Sequence, residues 1–155
     1  MGGTLAGMRR ALLALIFCCS LGSASADFSV PFAGWTANGP DSWQSAGGHC
    51  VIKEELHDQP FAALPDLPHA SALAARLQGS LTARKFEQVV VDPIERGGSF
   101  GLLASYLLSS GGSYRITQLY LSEGGRLRTL TGSALDDETD KCAADIQNYL
   151  RYLAY

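Results

Sequence analysis

The spacing of apolar positions switches between two periods along this chain. From His49 to His57 they alternate: Cys50, Ile52 and Leu56 share one side, while Lys53, Glu55 and His57 take the other. That is the pattern of a half-buried strand, with Glu54 as a charged exception on the apolar side. Pro60, Pro65 and Pro68 interrupt the pattern. From about Pro68 to Thr82 the apolar residues Ala70, Leu73, Ala74, Leu77 and Leu81 recur at helical spacing, and a proline suits the first turn. Phe86–Val91 reads as a strand that stops at Asp92-Pro93. Phe100–Ser109 fits both periods, since Phe100, Leu103, Ala104 and Leu107 trace a helical stripe nearly as well as a strand buried on both sides. The Ser109-Ser110-Gly111-Gly112 run after it resembles a hairpin loop, which favours the strand. Tyr114–Ser122, a Gly124-Gly125 turn and Arg126–Ser133 then predict a hairpin.

The last element predicted is a helix from about Asp137 to Ala154. Asp136, Asp137, Glu138 and Asp140 place negative charge at its positive end, and Cys142, Ile146, Tyr149, Leu150 and Leu153 form one apolar stripe. At the other end, residues 27–48 read as an irregular arm, with turn chemistry at Pro31, Gly34, Asn38-Gly39-Pro40 and Gly47-Gly48. Phe28, Val30, Phe32, Trp35 and Trp43 give this arm enough apolar weight to pack on the rest. The order predicts one α+β domain over residues 27–155: an antiparallel β-meander sheet, with an internal helix and a C-terminal helix packed on one face.

From about Phe86 onward this order resembles the PsbP-like fold. The stretch Tyr114–Ser133, strand-Gly-Gly-strand, and the closing helix through Tyr149, Leu150 and Leu153 carry the resemblance. It implies a small extracytoplasmic or accessory protein of the non-enzymatic, binding or assembly kind, and it transfers no site residues.

Residues 1–26 have the three parts of a secretory signal peptide. Arg9 and Arg10 supply the positive region, Ala11–Phe17 and the residues just after supply the apolar region, and Ala24-Ser25-Ala26 supplies the cleavage site. Met8, after an odd seven-residue prefix, is a candidate start. The apolar region falls short of the roughly 20 residues that span a bilayer, so cleavage is expected over retention as an anchor. Cys18 and Cys19 raise lipid attachment, but the bulky Ile16 and Phe17 precede them where small residues are normal. The formal charge is −3, and losing Arg9 and Arg10 with the leader makes the remainder more acidic. With no basic run and no aromatic-basic interleaving, nucleic acid is an unsuitable partner, and nothing favours stable membrane insertion once the leader is gone.

Cleavage would leave two cysteines, Cys50 and Cys142, in an oxidising compartment. A bridge between them closes a loop of roughly 90 residues, which the chain-entropy model values at about 4–5 kcal/mol. Two buried free thiols are the plain alternative. Both cysteines fall on the apolar sides of their elements, so a bridge would staple the closing helix to the first strand. Neither has a partner at metal-ligand spacing.

Candidate chemistry is sparse. Gly97-Gly98-Ser99-Phe100-Gly101 matches the G-x-S-x-G nucleophile elbow, but His49, His57 and His69 all precede Ser99, and the segment that follows reads as strand rather than helix. Ordinary turn glycines explain the motif. His49 and His57 share a strand side with Glu55 but sit eight residues apart, too far at about 3.3 Å per residue to bind one ion. Asp92 with Glu95, or Glu54 with Glu55, are candidate acid pairs for glycoside chemistry, which needs a fixed separation across a cleft; solvated acids are the default. No catalytic residue, metal ligand or cofactor site is therefore expected.

The Gly124-Gly125 turn sets Leu119 opposite Leu130 and Tyr120 opposite Thr129. Tyr114, Gln118, Tyr120, Thr129 and Thr131 then share a side of low charge. A plain solvent face explains it, but tyrosine-bearing flat patches are also what protein-binding surfaces use, and Trp35 and Trp43 would extend this one unless they serve, as tryptophans more often do, as core anchors. The expected function is an exported, non-enzymatic binding protein of the bacterial envelope: an inhibitor, immunity or accessory factor that is periplasmic or secreted. The alternatives are a periplasmic module holding an apolar small molecule between sheet and helices, and a small hydrolase.

Overall fold

The computed structural model describes residues 29–136 and 141–154. The leader segment and Asp137, Glu138 and Asp140, which the reading of the final helix used, lie outside the described residues. The strands are β1 (Thr36–Ala37), β2 (Ser42–Gln44), β3 (Cys50–Pro60), β4 (Glu87–Arg96), β5 (Ser99–Ser109), β6 (Ser113–Glu123) and β7 (Arg126–Leu135), with helices α1 (Leu67–Ala83) and α2 (Cys142–Leu153). The strands form one antiparallel sheet in the order β1-β2-β3-β7-β6-β5-β4. β4 to β7 are a meander of hairpins, and the early strand β3 adds beside β7.

The ambiguous segment Phe100–Ser109 is strand β5, and its ambiguity has a physical cause. Leu102, Ala104 and Tyr106 are buried among residues of α1, while Leu103 is buried in the cluster that includes α2. A strand covered on both sides shows no polar alternation. The same observation corrects the expectation that both helices pack on one face. They lie on opposite faces, α1 against β4 and β5, α2 against β3, β6 and β7. An apolar central strand needs a cover on each side, and two helices on one side would leave Leu102, Ala104 and Ile116 in water.

Three boundaries also differ from the expected ones. β4 runs through Asp92-Pro93 to Arg96, because β4 is an edge strand and a proline there costs no ladder bond on its open side. β3 continues past His57 to Pro60, with a register irregularity between Leu56 and Pro60. The arm expected to be irregular contains β1 and β2, which extend the sheet beyond β3. The first turn of α1 holds Pro68 as expected, preceded by Asp66, whose side chain accepts from the His69 backbone N–H at 2.9 Å.

Cys50 and Cys142 form a disulfide with Cα atoms 6.4 Å apart, tying the first turn of α2 to the start of β3. The fully buried side chains beneath α2 include Ile52, Leu119, Leu130, Ile146 and Leu150. Gly132 of β7 lies under Ile146, and a Cβ there would collide with that side chain. The glycine lets helix and sheet approach closely.

Candidate binding face

α1 covers β4 and β5, and the same sheet face continues beyond it across β6, β7 and β3. The side chains there follow from the pairing register. Tyr120 lies opposite Thr129, and Gln118 opposite Thr131. Thr131 and Thr129 lie in turn opposite Lys53 and Glu55 of β3. Two tyrosines converge on one amide: the hydroxyls of Tyr120 and Tyr106 donate to Gln118 Oε1 at 2.7 Å and 3.0 Å. Gln118 Nε2 then donates to Thr131 Oγ1 at 3.0 Å. His57 Nε2 is hydrogen-bonded to Thr129 Oγ1 at 2.8 Å, and Lys53 Nζ donates to Glu55 Oε1 at 2.8 Å on the exposed rim.

The electrostatics follow from this burial. Burial, with a smaller contribution from Tyr106, pushes the Tyr120 hydroxyl up to about 12, and the nearby Arg84 opposes the shift. Burial also raises Tyr106, again against Arg84. Both phenols therefore stay neutral donors at physiological pH. The hydrogen bond from Lys53 lowers the Glu55 carboxyl, with burial opposing. The face offers a fixed, uncharged hydrogen-bonding floor with one ion pair at its edge.

The structure brings together Gln118, Tyr120, Thr129 and Thr131. Thr129 is buried, and the other three are half-buried. Tyr114 is on the same side of β6 but farther along, opposite Leu108 and Leu135. Trp35 and Trp43 do not extend this patch. They pack on the cluster beneath α2, on the opposite face, because Trp43 pairs with the core residue Ile52. Tyr106, His57, Lys53 and Glu55 complete the face; in the sequence His57 and Glu55 were candidates for other chemistry, and Tyr106 was not singled out. Tyr106 was hidden by the double periodicity of β5. The alternation of Lys53, Glu55 and His57 was visible, but not which strand would lie beside it.

The other candidates are dispersed. Ser99 opens β5 after the two-glycine turn, and its hydroxyl donates to the Arg96 carbonyl at 3.1 Å. That is hairpin geometry, with no strand-to-helix elbow. His69 is at the start of α1 with Asp66, His57 is on β3, and His49 precedes that strand. Among the described residues no group of three or more His, Cys, Asp or Glu side chains is placed to hold a metal. Asp92 and Glu95 fall on opposite sides of β4, as do Glu54 and Glu55 on β3, so neither pair flanks one cleft. Among the described residues no helix is long and apolar enough to cross a membrane.

No family model matches the chain, and no curated protein matches it by sequence. Its structure is similar to the solution structure of cyanobacterial PsbP (CyanoP) from Synechocystis sp. PCC 6803, with a TM-score of 0.50 at 12% identity. The match covers 77% of this chain and 80% of that one, well beyond the C-terminal half that carries the resemblance in the sequence. Likeness at this identity concerns the fold alone, and the chain has the α+β fold seen in CyanoP.

Proposed function

We propose that this chain is an exported, non-enzymatic protein of the bacterial envelope that binds a protein partner through the sheet face beyond α1. The observation that carries this reading is the Gln118 network. Its polar groups are already fixed by Tyr106, Tyr120 and Thr131, so a partner would meet an ordered surface and lose little entropy in ordering it. The Cys50–Cys142 bridge supports an oxidising compartment, and a secretory leader at residues 1–26 is the matching route. The PsbP-like fold shared with CyanoP supports a binding role over a catalytic one.

The test is affinity capture from a periplasmic extract, comparing the wild type with a K53A/E55A/T131A variant. These positions are exposed or half-buried, so the variant should keep its fold by circular dichroism. The expected result is a stoichiometric protein retained by the wild type and lost by the variant. Equal retention by both would remove the assignment of this face, and no retained partner across several growth states would remove the reading itself.

A further inference from the structure

Two sequence features remain outside the binding face: the charged exception Glu54 on the apolar side of β3, and the Gly97-Gly98-Ser99-Phe100-Gly101 run. The structure brings both to one place. At the end of the sheet where the β4–β5 and β6–β7 hairpins turn, on the α2 face, a cleft of about 350 Å³ is lined by residues that include Arg96, Ser99, Gly101, Leu121, Glu123 and Arg128. Gly101 opens its floor. A Cβ there would come within 2.7 Å of both the Tyr120 carbonyl oxygen and the Leu121 side chain.

Arg128 forms the inner wall, its side chain only 19% exposed. The buried carboxylate of Glu54 holds its guanidinium from within the sheet, and Glu123 Oε2 approaches it at 3.2 Å from the solvent side. Glu54 Oε2 has no hydrogen-bond partner. Burying such a pair costs desolvation that an apolar pair of similar size would avoid. The arrangement is explained if Glu54 serves to aim Arg128 into the cleft. Opposite lies Arg96, on the same side of β4 as the core residue Ile94, and it forms no ion pair with any described residue.

We propose that this cleft binds a small carboxylate-bearing molecule, its carboxylate bridging Arg96 and Arg128 in place of Glu123. A guanidinium recognises a planar carboxylate through its N–H donors, and Glu123, 49% exposed, already sets a carboxylate oxygen 3.2 Å from Arg128 Nε. Leu121 supplies an apolar wall for the rest of the ligand. The site is on the face opposite the Gln118 network and stands independently of the protein-binding reading.

The test is titration of the ¹⁵N-labelled protein with succinate, at constant ionic strength, against its uncharged analogue succinamide. Saturable shifts are expected at Gly97, Gly101 and the Arg96 and Arg128 Nε–H groups with succinate alone. R96Q should weaken binding about tenfold, the worth of one charge-assisted hydrogen bond. E123Q should tighten it about threefold by removing the competing carboxylate. Both positions are exposed, so folding is not at stake. No saturable shift, equal shifts with succinamide, or unchanged affinity in R96Q would each overturn the site. Unchanged affinity in E123Q would overturn the displacement of Glu123.

Discussion

Beneath α2 the sheet presents Ile52, Leu119, Leu130 and a glycine, packed against Ile146 and Leu150 and locked by a disulfide. On the other face the apolar patch under α1, built from Val91, Leu102, Ala104, Tyr106 and Ile116, gives way beyond the helix to Tyr120, Gln118, Thr129 and Thr131, with the Tyr106 hydroxyl joining the two. Apolar contacts are non-directional, so the α2 side needs devices that fix the helix in place: the Cys50–Cys142 tie at its first turn and close approach at Gly132. The α1 side beyond the helix is fixed by directional hydrogen bonds among side chains. Those bonds do not exhaust the donors and acceptors of the groups that make them, which is what a recognition surface requires. One face closes the fold, and the other leaves polar groups in fixed positions for a partner.

If this division holds, the largest effect comes from cutting the tie. C50A/C142A, or reduction of the wild type, should cost about 4–5 kcal/mol by the chain-entropy estimate for a loop of this length. Urea denaturation measures it, and native-state hydrogen exchange adds a sharper reading. Protection should fall most in α2 and least in the β5–β6 ladder, the interior of the meander. A loss below 1 kcal/mol would show that α2 is held by packing alone. G132A should be the next largest, destabilising by about 1–3 kcal/mol as the added methyl pushes against Ile146. G79A on the exposed side of α1, where a Cβ meets nothing, is the control and should be neutral or slightly stabilising. Equal effects at the two glycines would break the contrast between a closely packed helix face and an open one.

Much of this contrast was legible in the sequence. The meander, the hairpin register at Gly124-Gly125 and the thiols facing the core all follow from local periodicity and turn chemistry. What was not legible depends on which elements meet. The period of α1 shows an amphipathic helix, but only the double-sided burial of Leu102 and Leu103 decides that α1 and α2 take opposite faces. Trp43 was expected to extend the tyrosine patch, yet its pairing with Ile52 sends it to the other side of the sheet. Glu54 stood out as an exception to its strand pattern, but its reason, Arg128 on β7, is 74 positions away and becomes adjacent only through the β3–β7 pairing. The candidate site was therefore visible in part: its β6–β7 residues lie on one hairpin, while Tyr106 and His57 arrive from other strands.

The smallest effect tests the hydrogen-bonded face by its titration. Y120F removes one donor to Gln118 Oε1, and Tyr106 still supplies the other, so the loss at neutral pH should be about 1 kcal/mol. The alkaline limb is more diagnostic. The folded protein holds the Tyr120 proton up to about 12, whereas the unfolded chain releases it near 10.0. Below that lower value both states carry the proton and the contribution to stability is complete. As pH rises further the unfolded state deprotonates first and is favoured, so stability is lost until the folded hydroxyl also titrates. Wild-type stability should therefore fall between pH 10.0 and about 12 by on the order of 2 kcal/mol more than that of Y120F. The slope that remains in the variant belongs to Tyr106 and Tyr149, both also raised by burial. Urea unfolding of the two proteins across that range reads the difference directly. Parallel limbs would mean that Tyr120 is solvated, and the fixed floor of the proposed binding face would be lost with it.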